Sequence, residues 1–190
     1  AMVDYETDVS IPGVLPLVID RNSNSGHELG RALGPQWVSR MDCRIEICAD
    51  EVLMLTPDGA LVTFPAAPLD GSEVRADGRP WLLSFVDGAY RVRDVASGLV
   101  YVFATATEMS MVRPVGPVED VQNLHDPDSE PDPNMVGVAV GGYGYKSASI
   151  ADYAGVGFEV GLSAVIHRTG HMIEYVWDQS SGLMTSMRRS

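Results

Sequence analysis

Basic residues are scarce in this 190-residue chain: 13 Lys and Arg stand against 26 Asp and Glu, a formal net charge of −13. A surface that negative repels phosphate, so nucleic acid and anionic membrane surfaces are disfavoured as partners. Long apolar runs are missing as well. No stretch approaches the roughly 18 consecutive apolar residues that would argue for a membrane span. The start, acidic at Asp4, Glu6 and Asp8, lacks the basic and apolar pattern of a signal peptide. Ala1 ahead of Met2 reads as a cloning remnant, so an excised segment of a longer chain is expected. Cysteine is limited to Cys43 and Cys48. Two thiols define no disulfide framework, and at that spacing in a strand they fall on opposite faces, against a local bridge. No segment shows a capped apolar stripe of helical period, so little helix is expected.

What the chain does have is a globular balance, 45% hydrophobic against 21% charged, enough to build a core. Met41, Cys43, Ile45 and Ile47 alternate with Asp42, Arg44 and Glu46, the period of a half-buried strand. Val52–Leu55, the turn Pro57-Asp58-Gly59 and Ala60–Phe64 read as a hairpin, because Pro presets φ and Gly accepts a positive one. Trp81–Val86, Asp87-Gly88 and Ala89–Arg93 read as a second, followed by Leu99–Phe103. Short strands with turn signals every ten or so residues predict an all-β fold, an antiparallel hairpin meander within a larger curved sheet. Nearer the start, Val9–Arg21 suits an extended segment that Pro12 and Pro16 confine to an edge, and residues 22–36 read as a polar loop.

Composition shifts at about residue 105. Residues 114–134 hold five prolines and six acids without a Lys or Arg, which predicts an exposed, solvated insertion. Residues 136–161 are rich in glycine and small side chains and too irregular to assign. Strand signals return at Leu162. The organisation expected is therefore 1–104 as a β module, 105–161 as an acidic Pro/Gly-rich insertion or loop region, and 162–190 as a hairpin repeat.

Near the start, Asp8-Val9-Ser10-Ile11-Pro12-Gly13, Leu15-Pro16-Leu17, Arg21-Asn22-Ser23-Asn24-Ser25 and Gly34-Pro35-Gln36-Trp37 follow in that order. At the other end, Val165-Ile166-His167-Arg168-Thr169-Gly170-His171 leads into Ile173, Tyr175 and Trp177-Asp178, then Gly182-Leu183. The first set resembles the opening of the Rhs/YD-repeat shell proteins, and the second resembles one tyrosine–aspartate repeat of that family. Ser23 stands where the family usually has Tyr, Gln36 where it has Gly, and Trp177 where the repeat has Tyr. The resemblance implies a structural role without catalysis: a module of a secreted or cell-surface bacterial shell that encloses a C-terminal toxin used in competition. The implied partners are the rest of that polypeptide shell and its toxin.

The repeat has a physical logic of its own. Ile173, Tyr175 and Trp177 fall on one face at period two, and a single hairpin cannot bury that face alone. The chain is expected to continue past Ser190, with Arg188–Ser190 frayed and weak self-association through unpaired strand edges. The carbohydrate- or cell-surface-binding β-module is the alternative, with Trp37, Trp81 and Trp177 as its aromatic platform, although such residues are more often core.

Candidate chemistry is thin. His167 and His171, near Glu174, have a metal-like spacing, but Gly170 between them places both on a surface turn. Asp126, Asp128, Glu130 and Asp132 offer oxygens at alternate positions, without the central Gly and terminal Glu of a calcium loop. Gly137, Gly141, Gly142 and Gly144 precede Lys146-Ser147, yet Tyr145 occupies the position where a phosphate loop needs Gly. Cys43 and Cys48 are expected to be structural thiols. No catalytic residue, cofactor or metal ligand is assigned.

Overall fold

A computed structural model describes residues 3–24, 29–48, 50–66, 69–104, 112–115, 157–178 and 184–190. Its strands are β1 (Val3–Ile11), β2 (Leu17–Asn24), β3 (Trp37–Ser39), β4 (Arg44–Ile47), β5 (Glu51–Leu55), β6 (Leu61–Pro65), β7 (Val74–Arg75) and β8 (Trp81–Val86). There follow β9 (Ala89–Asp94), β10 (Val100–Ala104), β11 (Val112–Val115), β12 (Gly157–Gly161), β13 (Ala164–Ile166), β14 (Met172–Trp177) and β15 (Met184–Arg189). Among the described residues every pairing is antiparallel. The expected all-β class is observed; among the described residues the only helical piece is one 3-10 turn, Arg40–Asp42.

The strands sort into three sheets. Sheet A is β1-β2-β3, sheet B is β11-β12-β4-β5-β6, and sheet C is β15-β14-β13-β10-β9-β8-β7. Local hairpins build most of them. Asp87 and Gly88 take φ of 54° and 73°, the paired positive values that a two-residue β-turn requires, and they join β8 to β9 in tight register. At the other signalled turn, Thr56 N donates to Ala60 O at 2.9 Å and closes β5 onto β6.

Sheets B and C share one apolar core. Ile45, Val52, Met54, Val62, Phe64 and Val160 from B meet Leu83, Val92, Phe103, Val165, Ile173 and Tyr175 from C. The row Ile173, Tyr175, Trp177 is buried, while Met172, Glu174 and Val176 are only partly covered, as their period implies. Phe64, Phe103 and Tyr175 are 0% exposed, and burying one aromatic of that size contributes about 1.5–3 kcal/mol. The chain passes between the sheets within two residues: Leu162 N donates to Cys43 O (3.1 Å) and Ser163 N to Val102 O (2.8 Å). Trp177 Nε1 donates to Leu162 O at 2.8 Å and braces that crossing.

Several expectations need correction. Val9–Arg21 is not one edge segment. β1 and β2 are separate strands, and β2 lies between β1 and β3 because both prolines fall in the connection that precedes it. Asn22–Asn24 belongs to β2 rather than to a loop. β1 was missed because its acids hide a period-two pattern, with Arg21 paired to Glu6 and 3.3 Å from Asp8. Residues 157–161, within the stretch read as insertion or loop, form β12 in the interior of sheet B. Arg188–Ser190 is not frayed: Arg188 sits opposite Glu174, and Ser190 exchanges two 3.0 Å hydrogen bonds with Met172. Arg189 also donates to Pro12 O at 2.9 Å, tying the last strand to the turn after β1.

Buried phenols and a thiol make the core sensitive to alkali. Burial pushes the Tyr90 and Tyr175 hydroxyls up to about 12, from an ordinary value of 10.0, and pushes the Cys43 thiol up. These groups stay neutral in the folded chain and ionise sooner when it unfolds, so their contribution is complete below about pH 9–10 and is lost as pH rises towards 12. The urea midpoint is expected to fall steadily between about pH 9.5 and 11.5, and less steeply in Tyr175→Phe. A midpoint flat across that range would contradict this assignment.

Candidate functional site

The densest polar feature lies on the outer side of sheet B. Ser39 caps the 3-10 turn: its hydroxyl accepts from Met41 N at 3.1 Å and donates to Asp42 Oδ2 at 2.9 Å. Asp42, buried, also accepts from Ser39 N at 2.9 Å on the same oxygen. Its other oxygen accepts from Arg31 N (2.7 Å) and Ala32 N (2.9 Å). One carboxylate therefore holds both the turn and the strap at residues 29–32, using charge-assisted bonds that are about twice as strong as neutral ones. Gly30 permits the strap to fold back, since a Cβ there would lie 1.8 Å from Trp37 O.

Beneath the strap its own Arg31 side chain meets Arg44 and Glu159. Glu159, delivered by β12, is 1% exposed. Arg31 grips it with both terminal nitrogens, Nη2 at 2.9 Å from Oε2 and Nη1 on Oε1. Arg44, from β4, places Nε 3.3 Å from Oε2 and donates through Nη1 to Leu29 O and Asp42 O, each at 3.1 Å. Across the ladder Glu159 pairs with Glu46, whose carboxylate is 3.8 Å from Arg44 Nε. Burial draws the Arg44 guanidinium below its ordinary value, and Glu159 is the main influence raising it again. Two cations thus offset a pair of acids that would otherwise repel. Beside them a cavity of about 110 Å³ is lined by Leu29, Arg44, Glu46, Leu53, Leu55 and Leu61.

Chemically this arrangement is a clasp. Its donors and acceptors are turned on one another, and Arg31 and Glu159, 128 residues apart, close the fold. Sequence reasoning missed it, because alternation assigned Asp42 and Arg44 to a solvent face. Both are buried, since the strap covers that face, and β4 starts only at Arg44. The one available signal was an Arg–Glu pattern along the strand, which does not reveal a partner so distant in sequence.

The residues weighed from sequence do not converge. His167 and His171 lie at the β13–β14 turn, where His167 N donates to His171 O at 2.8 Å and His167 Nδ1 is 2.7 Å from Thr169 Oγ1. Among the described residues no three His, Cys, Asp or Glu side chains are grouped to hold a metal. Cys43 is buried and Cys48 half-buried, and both are free thiols. The acidic positions 126–132 and the glycines around Lys146 lie outside the described residues.

Neutralising Glu159 leaves two guanidinium groups facing each other under the strap. Glu159→Gln is expected to lower unfolding stability by about 3–5 kcal/mol in urea titrations, the usual cost of orphaning a buried charge. Replacing all three residues by apolar ones of similar volume (Arg31→Met, Arg44→Leu, Glu159→Met) is expected to lose less. A single-variant loss under about 1 kcal/mol would mean that the pairs are solvated like surface ones.

No curated protein matches the chain. Residues 1–64, which run from β1 through most of β6 and include Arg31, Asp42 and Arg44 but not Glu159, match a family described as a domain of unknown function, DUF6531.

Proposed function

We propose that this chain is a wall module of a secreted bacterial toxin shell of the Rhs/YD-repeat type, and that it helps enclose a C-terminal toxin without catalysing a reaction itself. The observation that carries this reading is the place of the repeat-like hairpin. β13, β14 and β15 extend the same seven-stranded sheet as β7–β10, with Ile173, Tyr175 and Trp177 packed into the shared core. Among the described residues β15 lies at the edge of that sheet, so a further hairpin would add to it without rearrangement of what precedes it. The DUF6531 match over residues 1–64 is consistent with the proposal, because domains of this kind often occur in such proteins. Sequestration would then be steric: a paired, side-chain-filled sheet excludes proteases and targets from the enclosed domain. Secretion or surface display, and a role in competition between bacteria, follow from the same reading.

The carbohydrate-binding alternative calls for an exposed aromatic row. The three tryptophans do not form one: Arg21 lies over Trp37 (4.9 Å), Trp81 stacks on Tyr101 (5.7 Å), and Trp177 is buried.

The test uses the natural protein that carries this segment. Its C-terminal domain is expected to resist limited proteolysis, and Tyr175→Asp, which puts a charge into the shared core, is expected to expose it. Equal cleavage with and without the substitution would overturn the proposal, and glycan binding alongside equal cleavage would favour the alternative.

A further inference from the structure

β1 is a nine-residue strand at the edge of sheet A, and among the described residues it pairs with β2 alone. Every described side chain from Asp4 to Ile11 is exposed. Native edge strands are normally kept short or blunted by charged side chains, proline or a bulge. β1 has one irregularity, and its edge charges are all acidic, so they repel anionic strands and favour a cationic one. β1 is long and carries no Lys or Arg, and it displays Tyr5, Val9 and Ile11 at 57%, 40% and 47% exposure, with Val14 beyond them at 60%. Asp4, Glu6 and Asp8 alternate with these apolar positions, up to an irregularity between Thr7 and Val9. On β2, Arg21 is already committed to Glu6 and Asp8 and to the face of Trp37.

We infer that the edge of β1 left unpaired among the described residues is a docking site for an extended basic strand, with cationic side chains at alternate positions and apolar ones between them. Main-chain hydrogen bonds along the edge would supply affinity. Asp4, together with the surplus charge of Glu6 and Asp8, which share the single cation Arg21, would supply selectivity, and Tyr5, Val9 and Ile11 would cover the intervening apolar side chains. A second copy of this chain is a poor occupant, because antiparallel pairing of two β1 strands brings acids against acids on molecules that each carry a net charge of −13. Among the described residues β1 edges sheet A and β15 edges sheet C, so docking on β1 does not depend on any hairpin added beyond β15.

The probe is a capped peptide of about ten residues alternating lysine and valine, titrated onto the whole chain and followed by fluorescence anisotropy and amide hydrogen exchange. Three companions complete the experiment: the same peptide N-methylated at alternate residues, a glutamate–valine peptide, and the protein variant Asp4→Asn/Glu6→Gln/Asp8→Asn. The lysine peptide is expected to bind and to protect β1 amides. N-methylation, which removes edge hydrogen bonds without changing charge, is expected to weaken binding by about tenfold or more, and the triple variant by about fivefold or more. The glutamate peptide is expected not to bind. Equal binding of the methylated and unmethylated peptides would mean charge attraction without strand pairing, and would overturn the inference. So would absence of binding, or protection of β1 by self-association alone, read as a doubled mass in light scattering.

Discussion

Glu159 has 1% of its surface in contact with solvent and carries its charge in the middle of a sheet. A carboxylate in such a place is tolerated only where cations and donors surround it. That requirement fixes much of the architecture. β12 must lie beside β4 so that Glu159 reaches Arg44, and the strap at residues 29–32 must fold over the outer face so that Arg31 reaches it as well. Asp42 then anchors the strap through the Arg31 and Ala32 amides. A slip of β12 by one residue would turn Glu159 into the apolar core and Val160 onto the strap, since neighbours on a strand face opposite ways. The clasp therefore acts chiefly on register and specificity, and net stability comes from elsewhere.

That stability comes from the core between sheets B and C. Once Val160 is placed, the crossing at Leu162–Ser163 sets β13 against β10, and the row Ile173, Tyr175, Trp177 closes over residues from β8, β9 and β10. The region matching DUF6531 thus contributes both guanidinium groups of the clasp and Asp42, but neither Glu159 nor any strand of the facing sheet. At the far end, the contact of Arg189 with Pro12 O ties the last strand to the β1–β2 connection.

Local patterns carried the all-β class and the hairpins. Asp87-Gly88, Pro57-Asp58-Gly59 and the Ile173, Tyr175, Trp177 row state their geometry in a few adjacent residues, and the structure follows them. What sequence alone did not reveal depends on long-range cover. Asp42 and Arg44 alternate like surface residues, and only a strap ten or more positions upstream buries them. Gly157–Gly161 looked irregular because a five-residue strand with glycine at both ends, and a buried acid at its centre, has no period-two signature. β1 was hidden by its acids, which satisfy an arginine on the neighbouring strand instead of marking a loop. For the functional site little was legible, because the clasp joins positions 31, 44 and 159, which no local window spans.

The strands on either side of residues 116–156 are expected to form one cooperative unit. Native-state hydrogen exchange under rising denaturant tests it most directly. Amides of Ile45 and Met54 in sheet B, Val92 and Tyr101 in sheet C, and Val160 and Tyr175 beyond residue 156 are expected to merge into one unfolding isotherm with a common slope. If Ile45 and Met54 exchanged through a separate, smaller opening while Val92 and Tyr175 stayed protected, sheet B would be an independent unit and the account would be contradicted.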